Sequence, residues 1–173
     1  MKKQDWDDEF LEMLSLFELK SKCRAKKVAC IITKNNNVIS VGLNGTLPGR
    51  PNCNDVFYRN DKKEWFKIKG CQLVKMSEEE CNDNSLSSHH QWSLLNEIHA
   101  EQNAIYKATQ EMNANIAGST VYITYCPCVN CAKMLALYKV KRIVYKYSYD
   151  NEENVINFLK SVGIEVVKYE RSK

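Results

Sequence analysis

Four residues whose side chains suit metal-assisted hydrolysis stand in two short runs of the sequence. The first run contains His99 and Glu101, and the second contains Cys128 and Cys131 directly after Pro127. A catalytic zinc takes about three protein ligands and keeps one position open for water, whose pKa it lowers towards neutrality. One imidazole and two thiolates meet this requirement. The spacing therefore predicts a catalytic zinc centre formed by His99, Cys128 and Cys131.

Glu101 is not needed to complete this metal site, which indicates a role in proton transfer. A carboxylate two residues beyond a ligand is well placed to take a proton from the attacking water. It can then pass that proton to a pyrimidine ring nitrogen and protonate the departing ammonia. H-x-E followed by P-C-x-x-C is the signature of zinc-dependent nucleobase deaminases. The joint pattern favours a deaminase site over a closed zinc site or free core cysteines, which C-x-x-C alone would allow.

Two helices are predicted to position these residues. Cys128 and Cys131 are three residues apart, so one turn of a helix over Val129–Tyr138 places both sulfurs on one face. A proline fits the first turn of such a helix, and a helix N-terminus favours the thiolate over the thiol. The first half of the site lies in His89–Gln110, which is predicted to be mostly helical.

Apolar periodicity predicts the remaining elements. They are an amphipathic helix over Asp5–Lys20, a hairpin of strands Val28–Thr33 and Val38–Val41, further strands at Thr120–Thr124, Val140–Tyr145 and Ile164–Tyr169, and a helix over Glu152–Ser161. The strand–helix–strand–helix–strand order from Thr120 onward implies a largely parallel half-sheet in an α/β fold. The polar segment 53–88 is expected to be irregular and to pack as an insertion on a single domain spanning 1–173.

Composition limits the class of protein. The chain has 173 residues, 44% apolar and 27% charged, with a net charge of +4, as expected for a soluble globular protein whose partner could be a small phosphorylated ligand. No apolar run approaches a membrane span, and the N-terminus lacks a signal-peptide pattern. We therefore expect a cytoplasmic protein, in the host cytoplasm if the gene is viral. Eight cysteines in such a chain favour metal binding over disulfides.

The chain resembles deoxycytidylate (dCMP) deaminases, in particular the phage-type members, within the cytidine deaminase superfamily. The resemblance is carried by the run 96–101 (Asn-Glu-Ile-His-Ala-Glu), the run 127–133, and the Gly-x-Asn-Gly loop that starts at Gly42. It implies a three-layer α/β/α sandwich with a five-stranded mixed sheet. It also implies zinc-dependent conversion of dCMP to dUMP and ammonia, which feeds dTTP synthesis, and a homo-oligomer, often a hexamer.

The same resemblance implies nucleotide contacts. Asn44 would contact the deoxyribose of the substrate, and Tyr149 matches an aromatic residue near the nucleotide. Activation by dCTP and inhibition by dTTP would involve a loop whose glycines allow close approach of the backbone to a ligand. The effector-binding residues implied are Gly45, Thr46, Pro48, Gly49 and Arg50.

A second, structural zinc is also implied by the resemblance. Its ligands would be Cys23, Cys53, His89 and Glu97, an acceptable closed tetrahedral set. The alternative is that the two cysteines are small buried hydrophobic residues and the histidine is a surface residue. His90 is a possible replacement for His89, Cys71 and Cys81 are possible competitors for metal, and Cys126 is expected to be a packed thiol rather than a ligand.

Three other functions remain open from the sequence. One is a deaminase that also accepts dCTP. Another is a deaminase acting on cytosine or adenine in polynucleotides, although the best basic cluster, Lys139, Lys141 and Arg142, lacks interleaved aromatic residues and makes nucleic-acid binding unlikely. The third is a zinc-stabilised binding module without catalysis, against which the position of Glu101 argues.

Overall fold

The computed structural model describes residues 6–170. In chain order its elements are α1 (Asp7–Glu18), β1 (Ala29–Lys34), β2 (Asn37–Leu43), β3 (Gly45–Thr46), α2 (Cys53–Val56), β4 (Phe57–Arg59), β5 (Trp65–Lys69), β6 (Gln72–Lys75), α3 (Glu78–Cys81), α4 (His89–Asn96), β7 (Glu97–Ile98), α5 (Ala100–Tyr106) with a π-helical continuation (Lys107–Glu111), β8 (Thr120–Tyr125), α6 (Val129–Leu137), β9 (Arg142–Tyr147), α7 (Glu152–Ser161) and β10 (Glu165–Lys168). Within residues 6–170, no helix has both the length and the apolar character needed to cross a membrane.

The structure divides into two compact units. The first unit combines Met1–Ser21, Val28–Leu43 and His99–Lys173, and the second combines Lys22–Lys27 and Asn44–Ile98. The predicted insertion, 53–88, lies entirely within the second unit.

A five-stranded sheet in the order β10-β9-β8-β1-β2 forms the centre of the first unit. Strand β1 is antiparallel to β2 and to β8, whereas β8, β9 and β10 run parallel. Parallel neighbours need a crossover, and α6 and α7 provide the two crossovers here. The predicted α/β fold with a mixed five-stranded sheet is confirmed.

The two faces of this sheet are covered by different helices because side chains alternate along a strand. In β1, Cys30 and Ile32 belong to a core cluster that includes residues of α5, α6 and α7. Their neighbours Ala29 and Ile31 belong to a second cluster, which contains the apolar side chains of α1. The first unit is therefore the expected α/β/α sandwich.

Helix α1 is fixed to the sheet by a polar network as well as by apolar packing. The Tyr122 hydroxyl donates to Asp7 Oδ1 at 2.8 Å, and the Arg142 guanidinium donates to both carboxylate oxygens of Asp7 at 2.7 Å. The predicted start of this helix, Asp5, lies outside the described residues.

The second unit has a small core and more regular structure than predicted. Strands β4, β5 and β6 form an antiparallel three-stranded sheet within the segment expected to be irregular. Its buried residues include Cys23, Cys53, Phe57 and Met76. The irregular assignment was wrong because apolar residues alternate with lysines from Phe66 to Lys69 in β5, and the β5–β6 turn is closed by Gly70 at φ 59°.

The predicted long helix over His89–Gln110 is interrupted. Helix α4 ends at Asn96, and Glu97 and Ile98 then pair as a short strand with Thr46 and Gly45. His99 is also extended, with φ −69° and ψ 152°, before α5 begins. A pairing with a distant strand ends the helix here, which no local propensity predicts.

Candidate functional site

The structure brings His99, Cys128 and Cys131 together in the first unit. The Nδ1 atom of His99 lies 3.6 Å from Cys128 Sγ and 3.4 Å from Cys131 Sγ. Tetrahedral zinc, with bonds of about 2.0–2.1 Å to nitrogen and about 2.3 Å to sulfur, places such ligands roughly 3.5–3.8 Å apart. This His99 cluster therefore fits a zinc ion, and its three protein ligands leave a fourth position for water.

Two helix starts hold the cluster in place. His99 is the N-cap residue of α5, where its backbone N–H donates to Gln102 Oε1 at 3.0 Å. Cys128 is the N-cap residue of α6, and Cys131 lies in the first turn of that helix. The Cys131 thiol donates a hydrogen bond to Cys128 and holds the pKa of Cys128 well below its ordinary value. A bound metal ion would replace the proton that the two sulfurs share.

Glu101 lies in the first turn of α5 and is buried, with 4% of its surface exposed. Burial raises the pKa of its carboxyl above the ordinary value, and the charges of His99 and Cys128 also act on it. The carboxyl is therefore beside the His99 cluster without being one of its ligands. A buried carboxyl with a raised pKa is suited to exchanging protons near neutral pH.

Strand β2 sets the position of α5 through an unusually close approach at Gly42. A Cβ atom on this glycine would lie 2.1 Å from the Ala100 carbonyl oxygen and 2.4 Å from the Ala104 nitrogen. Beside it, Asn103 Nδ2 donates to the Leu43 carbonyl at 2.6 Å. The glycine at the start of the predicted ligand loop is thus required for packing of the strand against the helix.

Three tyrosines stand at the carboxyl ends of β8 and β9. Burial raises the pKa of Tyr149, with further contributions from Asp150 and from the charges of the His99 cluster and Glu101, so Tyr149 lies near this cluster. Tyr125 lies 6.4 Å from Tyr149 and 5.3 Å from Tyr147, between ring centroids. Sequence reasoning missed Tyr125 and Tyr147, although both end adjacent parallel strands and are paired in register.

Cys126 is buried in the apolar core of the first unit. Burial is the main cause that raises the pKa of its thiol to about 12. Among the described residues it is not part of either group of clustered metal-ligating atoms. Its surroundings are those of a packed thiol.

A second group of donor atoms lies in the second unit and consists of the four residues implied by the resemblance. The ligand atoms of Cys23, Cys53, His89 and Glu97 all lie within 4.8 Å of one another. His89 Nε2 is 3.7 Å from Cys23 Sγ and 3.2 Å from Cys53 Sγ. The Cys53 thiol holds the pKa of Cys23 well below its ordinary value by hydrogen bonding. In the described chain, His90, Cys71 and Cys81 are not members of this His89 cluster.

Glu97 supplies the observation that tests whether the His89 cluster fits a metal. Its Oε1 atom is buried without a hydrogen-bond partner among the described residues, whereas Oε2 accepts a hydrogen bond from Ser93 Oγ at 2.7 Å. Burial and the charge of Cys23 raise the pKa of this carboxyl to about 7. An orphaned carboxylate oxygen beside two sulfurs and an imidazole nitrogen fits a four-coordinate cation.

The predicted nucleotide contacts other than Tyr149 lie in the second unit. Asn44 Nδ2 donates to the Lys26 carbonyl at 3.0 Å. Gly45 and Thr46 form β3, and the exposed turn that follows has Gly49 at φ 82° and an Arg50 N–H that donates to the Leu47 carbonyl at 3.1 Å. Pro48 lies in this turn and is also exposed.

An α/β/α sandwich with a His/Cys/Cys cluster and an adjacent buried glutamate is the arrangement expected of a zinc-dependent nucleobase deaminase. A family model described as the cytidine and deoxycytidylate deaminase zinc-binding region matches residues 4–147. The deoxycytidylate deaminase of Enterobacteria phage T4 is 35% identical over 168 residues, covering 90% of this chain and 86% of that protein. The deoxycytidylate deaminase of Schizosaccharomyces pombe is 30% identical over 164 residues, covering 95% of this chain and 44% of the relative.

Among solved structures, the dCMP deaminase from cyanophage S-TIM5 in complex with dCMP and dUMP is similar, with a TM-score of 0.68 and 26% identity. The match covers 98% of this chain and all (100%) of the other. The chain belongs to the cytidine and deoxycytidylate deaminase family. The predicted resemblance to phage-type deoxycytidylate deaminases, and with it the prediction of a deaminase, is confirmed.

Proposed function

We propose that this chain hydrolyses dCMP to dUMP and ammonia and thereby supplies dUMP for dTTP synthesis. The observation that carries the proposal is the His99 cluster with buried Glu101 beside it in the first unit. The relatives named as deoxycytidylate deaminases and the cyanophage complex with dCMP and dUMP support the choice of substrate.

In the proposed mechanism His99, Cys128 and Cys131 hold zinc and Glu101 moves protons. When bound, the zinc ion lowers the pKa of a water molecule at its open position. Glu101 would accept one proton of the attacking water and deliver it to the ring nitrogen of cytosine next to the amino-bearing carbon. It would then take the remaining proton of the added hydroxyl and pass it to the amino group, which leaves as ammonia while the ring carbonyl forms. The family resemblance supports Tyr149 as a contact to the nucleotide and Asn44 as a contact to the deoxyribose.

The His89 cluster is proposed to hold a second, structural zinc. Its orphaned Glu97 oxygen and its position in the small core of the second unit support this assignment. Small cores that bury few apolar side chains commonly need such a metal for stability. Four protein ligands leave no position for water, so this site would be structural. The family resemblance supports the assignment of residues 1–173 to a single deaminase domain.

Three further properties are proposed from the family resemblance. They are activation by dCTP and inhibition by dTTP through the loop Gly45–Arg50, assembly as a homo-oligomer such as a hexamer, and action in the cytoplasm. The exposed turn at Pro48–Arg50, which presents an arginine, is compatible with contacts to effector phosphates.

A deaminase acting on polynucleotides is disfavoured by one specific contact. Arg142, part of the best basic cluster in the sequence, is bound to Asp7 and also lies 3.1 Å from Glu165. Its guanidinium is therefore engaged within the fold. Failure to bind single-stranded DNA or RNA at low salt would remove this alternative.

The deciding experiment is an assay of the zinc-loaded protein with dCMP, CMP, dCTP and deoxycytidine, followed by loss of cytosine absorbance. We expect turnover of dCMP, with a rate altered by dCTP and dTTP. Turnover of dCTP would support the proposed deamination chemistry but contradict the assignment of dCMP as the substrate. Absence of turnover with all four compounds would reject deamination of free nucleotides.

A further inference from the structure

We propose that Ser93 is a positioning residue for the second metal, because its hydroxyl occupies Oε2 of Glu97 and leaves Oε1 alone to bind the ion. This inference rests on the structural metal proposed above for the His89 cluster. It adds a residue that neither the sequence motifs nor the ligand set indicated.

Ser93 holds Glu97 at two points. Its hydroxyl donates to Oε2 at 2.7 Å, and its carbonyl accepts the backbone N–H of Glu97 at the end of α4. The residues His89, Ser93 and Glu97 follow one another at intervals of four, so the serine lies on the same side of the helix as the two ligands. Backbone pairing of Glu97 with Thr46 adds a third restraint.

The consequence is a fixed orientation of the carboxylate. Oε1 is buried, without a hydrogen-bond partner among the described residues, and Glu97 contributes one carboxylate oxygen to the group whose ligand atoms lie within 4.8 Å of one another. A carboxylate that binds through one oxygen completes a four-coordinate set with two sulfurs and one nitrogen. A carboxylate that binds through both oxygens would raise the coordination number to five.

The other side of the cluster has little freedom to compensate for a displaced carboxylate. The His89 ring is stacked on Trp65, with centroids 4.5 Å apart and an angle of 18° between the planes. Phe57 packs against the same ring edge-on at 5.4 Å, and the Arg24 N–H donates to Cys53 Sγ at 3.2 Å. Loss of the serine hydroxyl should therefore change the orientation of the Glu97 carboxylate, because His89 cannot move to compensate.

The test compares Ser93→Ala and Ser93→Thr in the full chain. A Cys128→Ser background removes a ligand of the His99 cluster, so that cobalt spectra report the His89 cluster. We expect Ser93→Ala to weaken cobalt and zinc affinity about 10–100-fold, the usual effect of removing a partner that orients a ligand. The visible ligand-field bands of cobalt should also weaken as the coordination number rises from four, whereas Ser93→Thr retains both affinity and spectrum.

Gln91→Ala is the matched control, since Gln91 lies on the same helix and donates its side-chain hydrogen bond to the Asp83 carbonyl instead. Unchanged affinity and spectrum in Ser93→Ala would overturn the role of the serine. Equal losses of metal affinity in Ser93→Ala and Ser93→Thr would indicate that both substitutions disturb the helix. That result would also overturn the role proposed for the serine hydroxyl.

The metal content of Cys53→Ser in the otherwise unaltered chain separates this inference from the proposal on which it rests. If that variant and the parent bind the same number of zinc ions, the second metal itself is rejected, and the role of Ser93 with it. If the parent binds one more zinc ion than Cys53→Ser, the second metal is supported. The Ser93 variants then test the role of the serine.

Discussion

At the scale of single residues, Glu101 differs from every other acidic residue described in the first unit by being buried beside the His99 cluster. Burial of a carboxylate is unfavourable unless a nearby cation or hydrogen bonds compensate. The His99 cluster offers such a cation when metal is bound. The position of Glu101 is therefore explained by chemistry more readily than by stability.

Glu101→Gln is expected to retain the fold and bound zinc but to lose turnover by about 10²–10⁴-fold, the usual contribution of a positioned general acid–base. An amide keeps the shape of the side chain but cannot shuttle protons. Steady-state rates with dCMP and the zinc content of the same sample provide the measurement. Glu111→Gln, an exposed residue at the end of the same helical run, is the control. A near-normal rate in Glu101→Gln would disprove the assigned role.

At the scale of elements, the contact between β2 and α5 controls the geometry of the catalytic centre. Gly42 lets the strand approach the helix, and Ser40 Oγ donates to the Ala104 carbonyl at 2.8 Å across the same interface. Helix α5 carries Glu101 and begins directly after His99, so any displacement of the helix moves both residues.

Gly42→Ala should destabilise the protein by roughly 1–3 kcal/mol, the usual range for a group forced into a packed core. The added methyl meets backbone atoms, which cannot rotate away as a side chain would. Urea unfolding measures the change. Gly45→Ala is the steric control because its Cβ would meet nothing within 4 Å, and equal stabilities of the two variants would contradict the interpretation.

Attachment of α1 to the sheet should depend on pH through Asp7. Burial acts to raise the pKa of Asp7, but hydrogen bonds from Arg142 and Tyr122 outweigh it and lower the pKa below its ordinary value. The resulting stability is present above the unfolded-state pKa of about 3.9 and is lost as the pH falls through the folded-state pKa.

Asp7→Asn should therefore lower the free energy of unfolding by roughly 2–3 kcal/mol at pH 7, because it removes a bidentate charged contact that is largely shielded from solvent. The difference from the parent protein should shrink in acid, where Asp7 also becomes neutral. Denaturant unfolding at several pH values gives the measurement. Glu9→Gln, an exposed residue in the first turn of the same helix, should show neither effect.

At the scale of the whole molecule, the two units differ in what stabilises them. The first unit has an extensive apolar core on both faces of its sheet, whereas the core of the second unit contains four buried residues, two of them ligands of the His89 cluster. A bound metal should therefore contribute a larger share of stability to the second unit.

Removal of metal by a strong chelator is expected to increase amide hydrogen exchange throughout Lys22–Lys27 and Asn44–Ile98. Strands β8 and β9, in the core of the first unit, should remain protected. Mass spectrometry of exchanged peptides provides the measurement. Cys53→Ser should reproduce the pattern without a chelator, and uniform exchange across both units would show that the metal does not act locally.

The features predicted from the sequence depend on short spacing between residues. The features that it did not predict depend on contacts between distant segments. The His99 and Cys128–Cys131 motifs are local patterns, and the parallel half of the sheet follows from element order. The break at Glu97 and the packing of Gly42 depend on pairing with segments more than 50 residues away, which no local pattern reveals. Ser93 was missed for a different reason, because a serine within a helix gives no signal until its hydrogen-bond partner is seen.

The turn between β5 and β6 offers a practical route to observing the second unit. Of the eight cysteines, Cys71 in this turn is the exposed one, while the others are buried or half-buried and four of them belong to the metal clusters through their sulfurs. A maleimide dye should therefore attach selectively at Cys71 in the metal-loaded protein. A fluorophore at this position would report on the second unit during turnover without altering either cluster.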